Sequence, residues 1–321
     1  MISEFEIIRE YFTRPPQRPE SHLGVGDDAA LLAIPAGQEL ALTMDTLVAG
    51  RHFPEDTRAE DIGWKSLAVN LSDLAAMGAQ PSGFTLALTL PEPNCDWLAR
   101  FAQGLFELAQ QFGVDLMGGD TTRGPLSITI AAHGLVPAGQ ALRRNGAKLG
   151  DLVCVTGTLG DAALALDLGA QAPELLALRL NRPVPRVEVG IALRGLASAV
   201  IDLSDGLAGD LRHILKASKL GASIELAKLP RSEDFQRLRN QVPKLFPGDH
   251  TLQYQLSGGD DYELCFCLPP EQLDQAREKL ATRFTVVGSI TPGPGLQWLD
   301  ASGAQVKLAL GGYDHFANEP G

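Results

Sequence analysis

The feature that most constrains the fold is an alternation of short apolar runs with longer amphipathic stretches. Runs of strand length, such as residues 84–90, are followed by stretches with helical periodicity, such as residues 95–112. This alternation stops at the glycine-containing loop 139–150 and restarts after it. The pattern predicts α/β or α+β layers. Because 321 residues exceed what one typical core holds, we expect two domains, over residues 1–148 and 149–321.

The boundaries of individual elements follow from capping signals, turn residues and periodicity. Helices are predicted from a capping box at residues 3–6 to a point before Pro15, and at residues 60–77, 95–112, 161–168, 173–180, 185–195, 205–217, 232–241 and 271–282. Strands are predicted at residues 29–34, 40–44, 84–90, 114–117, 127–136, 151–156, 199–203, 222–226, 263–268 and 284–290. The proline-rich segment 14–21 is expected to be a mobile linker, and residues 295–310 a hairpin.

The composition excludes several classes of protein. Hydrophobic residues make up 45% of the chain and charged residues 21%, which is ordinary for a soluble globular protein. No apolar run approaches the length of about 18 residues typical of a membrane span, and the acidic start does not resemble a secretory signal. We therefore expect a cytoplasmic protein. The four cysteines show neither C-x-x-C pairs nor a dense disulfide framework, so we expect reduced core thiols. The net charge of −12 argues against a nucleic-acid partner.

Six aspartate-centred segments stand mostly beside glycine, serine or threonine, at the edges of apolar runs. They occupy residues 24–28, 43–46, 70–73, 116–124, 201–206 and 257–261. Each segment alone is typical of a turn or a helix N-cap. The repetition instead favours convergence on one site for a polyanion and a metal, since carboxylates placed together repel unless a cation lies between them. In residues 116–124, two glycines expose backbone N–H donors, and Asp120 follows them as a candidate metal ligand.

The residue types in these segments favour phosphoryl transfer. Oxygen ligands from aspartate and hydroxyl groups suit Mg²⁺ that bridges phosphate oxygens, whereas the six histidines show no H-x-x-x-H spacing for zinc. The chain also lacks an EF-hand loop, a G-x-S-x-G segment and a dinucleotide-binding fingerprint, so hydrolase and dehydrogenase functions lack support. Phosphoryl transfer needs chiefly alignment and charge neutralisation. Residues 157–160 remain open between a phosphate loop and a tight strand–helix turn.

Six ordered motifs resemble those of bacterial thiamine-monophosphate kinases: residues 24–29, 44–53, 70–79, 118–124, 201–207 and 312–316. That family is part of the aminoimidazole-ribonucleotide-synthetase-like superfamily of ATP-binding proteins. The resemblance covers nearly the whole chain and implies a two-domain α/β fold of α+β layers. The N-terminal sheet domain would form a barrel across a homodimer, and the C-terminal domain would be α/β. The implied reaction is ATP-dependent phosphorylation of thiamine monophosphate to thiamine diphosphate, with several Mg²⁺ ions.

The resemblance also implies roles for individual residues. The implied Mg²⁺ ligands are Asp28, Thr43, Met44, Asp45, Asp73, Asp120, Asp202 and Asp205. The residues implied to bind ATP are Gly119, Asp120, Arg144 and Ser204, and those implied to bind the thiamine phosphate are His52, Asp260 and Tyr313. Asp120 is the ligand expected nearest the reacting phosphates. Two positions depart from the family pattern: Met44 would have to contact a metal through its backbone, and Asp260 is one methylene shorter than the usual glutamate.

Two other functions stay open at this point. One is a synthetase of the same fold that acts through a phosphorylated substrate intermediate, and the other is a non-catalytic regulator that binds metal or nucleotide. The Gly-Arg-His-Phe stretch at residues 50–53 and the Gly-Tyr-Asp-His-Phe stretch at residues 312–316 favour the kinase. No histidine or cysteine stands in a paired nucleophile motif, so we expect direct in-line transfer without a phosphoenzyme.

Overall fold

The computed structural model describes residues 2–246 and 250–308. These residues form two compact units, one ending at Ala141 and the other beginning at Leu142. The predicted domain boundary at residue 148 stays a prediction. No helix in the described part of the chain is both long enough and apolar enough to cross a membrane.

The first unit contains a four-stranded sheet covered by helices. Its helices are α1 (Glu4–Ile7), α2 (Ala59–Ala76) and α3 (Cys95–Phe112), with a π-helical turn, Ile8–Phe12, directly after α1. Its strands are β1 (Ser21–Leu23), β2 (Leu31–Leu32), β3 (Gln38–Val48), β4 (Gln80–Leu90), β5 (Asp115–Arg123) and β6 (Ser127–Pro137). The sheet has the order β3-β6-β4-β5, with β4 and β5 parallel and the other neighbours antiparallel. Strands β1 and β2 pair separately.

Helix α2 is enclosed by the sheet on one side and by α3 on another. Every residue of α2 is buried except Asp73, which is half-buried. Two glycines allow the helices to cross closely: a Cβ at Gly63 would lie 2.1 Å from the carbonyl oxygen of Phe101, and one at Gly104 would lie 1.8 Å from that of Glu60. This close crossing fixes the helix that carries Asp73.

The other face of the sheet is not covered by the helices of this unit. Leu42 and Met44 on β3 are 72% and 67% exposed. Successive side chains of a strand point to opposite faces, so Thr43 and Asp45 face α2 while Leu42 and Met44 face away from it. The first unit therefore presents an open, partly apolar sheet face.

The second unit contains a seven-stranded sheet. Its helices are α4 (Asp161–Leu168), α5 (Glu174–Asn181), α6 (Val187–Leu193), α7 (Leu207–Ser218), α8 (Glu233–Gln241), α9 (His250–Ser257) and α10 (Leu273–Lys279). Its strands are β7 (Leu152–Thr156), β8 (Ala199–Asp202), β9 (Gly221–Glu225), β10 (Leu264–Leu268), β11 (Phe284–Thr291), β12 (Gly295–Leu299) and β13 (Gln305–Val306). The order is β13-β12-β9-β11-β7-β10-β8, antiparallel except for β12 and β9.

The core of the second unit lies between this sheet and α7. Val155, Ile201 and Cys265 form one row across three neighbouring strands and pack in one cluster with Leu211 and Ile214 of α7. The prediction of core thiols is confirmed for Cys154, Cys265 and Cys267, which are buried and unpaired, and it is wrong for Cys95, which is exposed at the start of α3. Burial raises the pKa of each of the three buried thiols, which keeps them protonated.

Several predictions about the elements are wrong. Strand β3 continues to Val48, so Asp45 lies inside the strand and not at its carboxyl end. Strand β5 continues to Arg123, so the Gly-Gly-Asp segment also lies inside a strand. Helix α7 begins at Leu207, so Asp205 precedes the helix instead of standing in its first turn. Helix α9 was not predicted.

The prediction of a mobile linker at residues 14–21 is also wrong, because hydrogen bonds anchor this segment. The Asp115 carboxylate accepts the backbone N–H groups of Gln17 and Arg18 at 2.9–3.1 Å. The Arg18 guanidinium donates to the carbonyl oxygens of Pro81 and Phe112. Nonlocal hydrogen bonds therefore hold a segment whose composition is typical of a linker.

Candidate active site

Thr43, Asp45 and Asp73 form the best assembled group of predicted ligands in the first unit. Strand β3 carries Thr43 and Asp45 on one face, and the last turn of α2 brings Asp73 to that face. The Thr43 hydroxyl donates to the Asp73 carboxylate. Burial, and then the negative charge of Asp73, raise the pKa of Asp45 to about 6. A bound cation would relieve this repulsion.

These donors fit Mg²⁺, because all three are oxygen atoms and two belong to carboxylates. Among residues 2–246 and 250–308, however, no three His, Cys, Asp or Glu side chains are assembled as a metal site. The protein would supply only part of the coordination shell. Mg²⁺ usually keeps water and substrate phosphates as its other ligands, so a partial set of protein donors suits it.

Only the backbone of Met44 is placed to contact a metal held by Thr43, Asp45 and Asp73. Its side chain is exposed on the face opposite Thr43 and Asp45. Asp28, another predicted ligand, lies in an exposed turn after β1, where its backbone N–H donates to the Asp27 carboxylate at 2.8 Å.

The structure does not bring Asp120 together with Asp45 inside one sheet. Register pairs Asp45 with Ile130, Ile130 with Leu86, and Leu86 with Gly119, the residue before Asp120. Strands β3 and β5 are the two edges of the sheet, so three strand spacings separate them, or about 14 Å. Asp120 is exposed on its edge.

Gly119 is required by the packing of its own strand. A Cβ at this position would lie 1.8 Å from the carbonyl oxygen of Leu86 on β4. By contrast, a Cβ at Gly118 would meet no atom within 4 Å. The glycine pair therefore has two different explanations: Gly119 permits close strand pairing, and Gly118 leaves open space beside the strand.

His52 is held in a tight loop after β3. The backbone N–H of Val48 donates to Nδ1 of His52 at 3.0 Å, and the His52 N–H donates to the Val48 carbonyl at 3.0 Å. Because Nδ1 accepts a hydrogen bond, neutral His52 carries its proton on Nε2. Lys65, a buried residue of α2, donates to the His52 carbonyl oxygen at 3.4 Å. The loop thus presents a defined tautomer of the half-buried imidazole.

In the second unit, Asp202, Ser204 and Asp205 lie where β8 ends and before α7 begins. Asp202 is the buried last residue of β8. The backbone N–H of Asp205 donates to Oδ2 of Asp210 at 3.0 Å. Burial raises the pKa of Asp210 to about 7, and the charge of Asp205 acts in the same direction. The turn between β8 and α7 is therefore closed by a buried carboxyl group.

Arg144, the predicted ATP-binding cation, is exposed in the basic loop of this unit. The preceding residue, Arg143, accepts the Val200 N–H at 2.9 Å through its carbonyl, which ties the loop to β8. The positive charge of Arg144 lowers the pKa of Asp210, opposing the effect of burial. Arg144 therefore lies within electrostatic reach of the turn that carries Ser204 and Asp205.

Asp260 lies next to Ser204 through direct backbone pairing. Its N–H donates to the Ser204 carbonyl at 2.9 Å, and the Tyr262 N–H donates to the Leu203 carbonyl at 2.8 Å. Both Asp260 and Tyr262 have left-handed backbones, with φ of 67° and 47°. The Tyr262 hydroxyl donates to Oδ1 of Asp260 at 3.1 Å. Tyr313, the other predicted substrate residue from the C-terminal part, lies outside the described residues.

A cluster of buried charged residues follows Asp260 in sequence and includes Asp261 and Glu263. Both oxygens of Asp261 accept the Gly160 N–H, at 2.9 and 3.1 Å. Glu263, which is fully buried, accepts hydrogen bonds of 2.6 Å from Arg179, Arg186 and Thr156. Burial alone would raise the pKa of Glu263, but the hydrogen bonds and charge of Arg186 and the charge of Arg179 hold it below its ordinary value.

This cluster favours the structural explanation of residues 157–160. The Gly160 N–H is already bonded to Asp261, and a Cβ at Gly157 would lie 2.0 Å from Oε1 of Glu263. The segment is a tight strand–helix turn bound to carboxylates of its own unit. A phosphate would have to displace them.

Several residues of these surroundings were not predicted from the sequence. They are Arg179, Arg186, Asp210, Asp261, Tyr262 and Glu263. Asp210 had a usable signal, since an acid in the first turn of a helix often caps the preceding segment. The arginine partners of Glu263 are distant in sequence, and no spacing connects them to it.

Comparison with known proteins decides the family. The family model for the N-terminal domain of AIR synthase related proteins matches residues 26–136, and that for the C-terminal domain matches residues 148–299. Thiamine-monophosphate kinase of Escherichia coli (strain K12) is 49% identical over 327 aligned positions, covering 98% of each chain. The chain belongs to the thiamine-monophosphate kinase family.

Solved structures of this family have the same fold. The crystal structure of thiamine-monophosphate kinase from Stenotrophomonas maltophilia K279a is 48% identical with a TM-score of 0.81, over 88% of this chain and 92% of that one. AaThiL complexed with AMPPCP and TMP is 30% identical with a TM-score of 0.78, over 91% and 92%. The predicted family and the predicted two-domain fold are thus confirmed. The barrel across a dimer stays a prediction.

Proposed function

We propose that this chain transfers a phosphoryl group from ATP to thiamine monophosphate, giving ADP and thiamine diphosphate. The observation that carries the proposal is the 49% identity to the Escherichia coli kinase along 98% of both chains. The AaThiL complex with AMPPCP and TMP supports the two substrates. The test measures ADP release with and without thiamine monophosphate and identifies thiamine diphosphate by chromatography. ADP released equally without the acceptor would contradict the proposal.

The donor groups described above support a division of roles. In the first unit, the side chains of Thr43, Asp45 and Asp73, together with Asp28 and the Met44 backbone, would hold Mg²⁺. In the second unit, Asp202 and Asp205 are the proposed Mg²⁺ ligands. Bound Mg²⁺ would offset the negative charge that develops on the phosphates during transfer. Gly119, Arg144 and Ser204 would bind ATP. His52, Asp260 and Tyr313 would bind thiamine monophosphate.

The side chains of the chain would bind and orient the two substrates and form no covalent intermediate. His52 offers a donor at Nε2, which suits a phosphate oxygen, and Asp260 offers a carboxylate, which suits the cationic thiamine. Arg144 offers the guanidinium that pairs with nucleotide phosphates. Transfer would then occur directly between two substrates bound together.

We further propose a homodimer in which Asp120 of the partner subunit completes the site. Asp45 and Asp120 lie on opposite edge strands of one sheet, so the two side chains of the same subunit are far apart. The open sheet face with exposed Leu42 and Met44 is a surface that a second copy would cover. Pairing of the free edges would also satisfy their backbone groups.

A synthetase that acts through a phosphorylated intermediate is the alternative within the fold. It would release ADP in the presence of a different acceptor and would give no thiamine diphosphate. A regulator that only binds nucleotide would release no ADP at all. The cytoplasmic location expected from the sequence stays a prediction.

A further inference from the structure

The segment around Asp260 contains two residues in a conformation that side chains rarely adopt. Asp260 has φ of 67° and Tyr262 has φ of 47°. A left-handed backbone is uncommon for non-glycine residues, tolerable for aspartate, and costly for a bulky aromatic residue. Such strain persists only where the surroundings determine the conformation, and it gathers at functional sites.

The surroundings determine this conformation from three directions. The N–H groups of Asp260 and Tyr262 bind the carbonyls of Ser204 and Leu203, at 2.9 and 2.8 Å. Between them, the buried Asp261 carboxylate binds the Gly160 N–H. The tyrosine cannot leave its φ without breaking one of these bonds.

The consequence of this backbone is the position of one hydroxyl group. The Tyr262 ring is buried, with 9% of the residue exposed, and its hydroxyl donates to Oδ1 of the half-buried Asp260 at 3.1 Å. A hydrogen bond to a carboxylate fixes one rotamer of a short side chain.

We propose that Tyr262 is a positioning residue that holds the Asp260 carboxylate in the orientation that binds thiamine monophosphate, which rests on the substrate role proposed for Asp260. Tyr262 acts through Asp260 and makes no contact with the reacting phosphates. Its hydroxyl sets the affinity for the acceptor and leaves the nucleotide site unchanged.

The test is a double-mutant cycle on steady-state kinetics. Tyr262→Phe keeps the ring and the packing and removes the hydroxyl. It should raise KM for thiamine monophosphate about tenfold or more, the effect of one lost hydrogen bond to a charged group, with KM for ATP and kcat within about twofold. Asp260→Ala should raise the same KM at least as much. In the Asp260→Ala background, Tyr262→Phe should add nothing.

A matched control is available in the same unit. The Tyr254 hydroxyl also donates to an aspartate carboxylate, that of Asp167, far from Asp260 in sequence. Tyr254→Phe should leave KM for thiamine monophosphate unchanged. A second cycle on Asp260→Asn, which keeps the side-chain size, serves if the alanine variant does not fold. There too Tyr262→Phe should change KM by less than about twofold, because the charge that it positions is absent.

Two outcomes would overturn the proposal. An effect of Tyr262→Phe that persists in full without the Asp260 carboxylate would make Tyr262 a purely structural residue. An unchanged KM in Asp260→Ala would remove Asp260 from the substrate site and the proposal with it. Kinase activity of the unmodified protein is measured separately, so either result is distinguishable from failure of the proposed reaction.

Discussion

The backbone N–H of Asp260 donates to the carbonyl oxygen of Ser204 at 2.9 Å. A residue proposed to bind the acceptor and a residue proposed to bind ATP are therefore joined by one main-chain hydrogen bond. Gly259 permits this pairing, because a Cβ there would lie 2.6 Å from the Ser204 carbonyl oxygen. A displacement of either segment would be transmitted to the other.

Mixed dimers test whether Asp120 acts on the partner subunit's site. Asp45→Asn and Asp120→Asn should each lose kcat by orders of magnitude. Refolding the two variants together should restore about a quarter of wild-type activity, because half of the dimers are mixed and one site in each is intact. A mixture of Asp45→Asn with Asp73→Asn is the matched control and should stay inactive, since both ligands come from one chain. No recovery in the first mixture would show that Asp120 acts elsewhere.

Removal of Arg144 tests the nucleotide site. Arg144→Ala should weaken ATP binding by about 1.5–3 kcal/mol, the range for a charge-assisted hydrogen bond. Arg143 is the neighbouring exposed arginine, and Arg143→Ala should change the free energy of ATP binding by less than about 0.5 kcal/mol. Isothermal calorimetry with a non-hydrolysable ATP analogue measures both. Equal losses of ATP affinity in the two variants would show that the loop at residues 139–150 attracts nucleotide only through its overall positive charge.

The Glu263 cluster predicts how stability depends on pH. The folded pKa of Glu263 is held below the ordinary value of 4.5, so its ionised form stabilises the fold above that pH. This contribution is lost as the pH falls below about 4.5 toward the folded pKa. Glu263→Gln should lower the free energy of unfolding by about 3 kcal/mol at pH 7 and flatten its fall below pH 4.5.

The exposed Glu225, paired with Lys228 at 2.7 Å, provides the control for Glu263. Glu225→Gln should change the free energy of unfolding by at most about 1 kcal/mol, because solvent screens that pair. Urea unfolding at pH 7 and pH 4 measures both variants. A pH dependence that survives in Glu263→Gln would assign it to other carboxylates.

The close crossing of α2 and α3 predicts a large effect for a single methyl group. Gly104→Ala should lower the free energy of unfolding by about 1–3 kcal/mol or more, because the new Cβ meets the Glu60 carbonyl oxygen. Gly118→Ala, where no atom lies within 4 Å, should change stability little. Thermal unfolding measures the difference, and equal melting temperatures would contradict the packing described here.

Metal removal tests direct transfer. Excess EDTA should abolish turnover, and added Mg²⁺ should restore it, since the carboxylates of the site need a cation to bind polyphosphates. Incubation with γ-labelled ATP alone should leave no label on the protein. Retained label would indicate a phosphoenzyme and a two-step reaction.

Local signals were sufficient to predict most of the elements but not the full extent of several strands. Helix α3 was predicted at its observed bounds, because Asn94 caps its start and Gly113 ends it in a left-handed conformation. Strands β3 and β5 were predicted too short, because their polar residues broke the apolar pattern from which strands are recognised. In both strands, those polar residues include predicted metal ligands.

Candidate ligands could be named from the sequence, but their arrangement could not. The family pattern suggested Asp45, Asp73 and Asp120, yet only the structure shows that Asp73 lies beside Thr43 and Asp45 and that Asp120 lies on the opposite edge strand of the sheet. The partners of Glu263 likewise depend on contacts between distant parts of the chain. Sequence spacing carries no information about such contacts.

The burial of α2 has a consequence for the choice of ion. Every residue of this helix other than Asp73 is buried, and Gly63 and Gly104 allow its backbone to pack directly against that of α3. Movement of the Asp73 backbone toward or away from a cation would therefore disturb the packing of α2 against α3 and the sheet. Mg²⁺ requires short, nearly octahedral bonds, whereas Ca²⁺ prefers longer bonds and a more adaptable shell. At the proposed metal site, the packing of α2 would thus favour the smaller ion, through contacts remote from the ligand atoms.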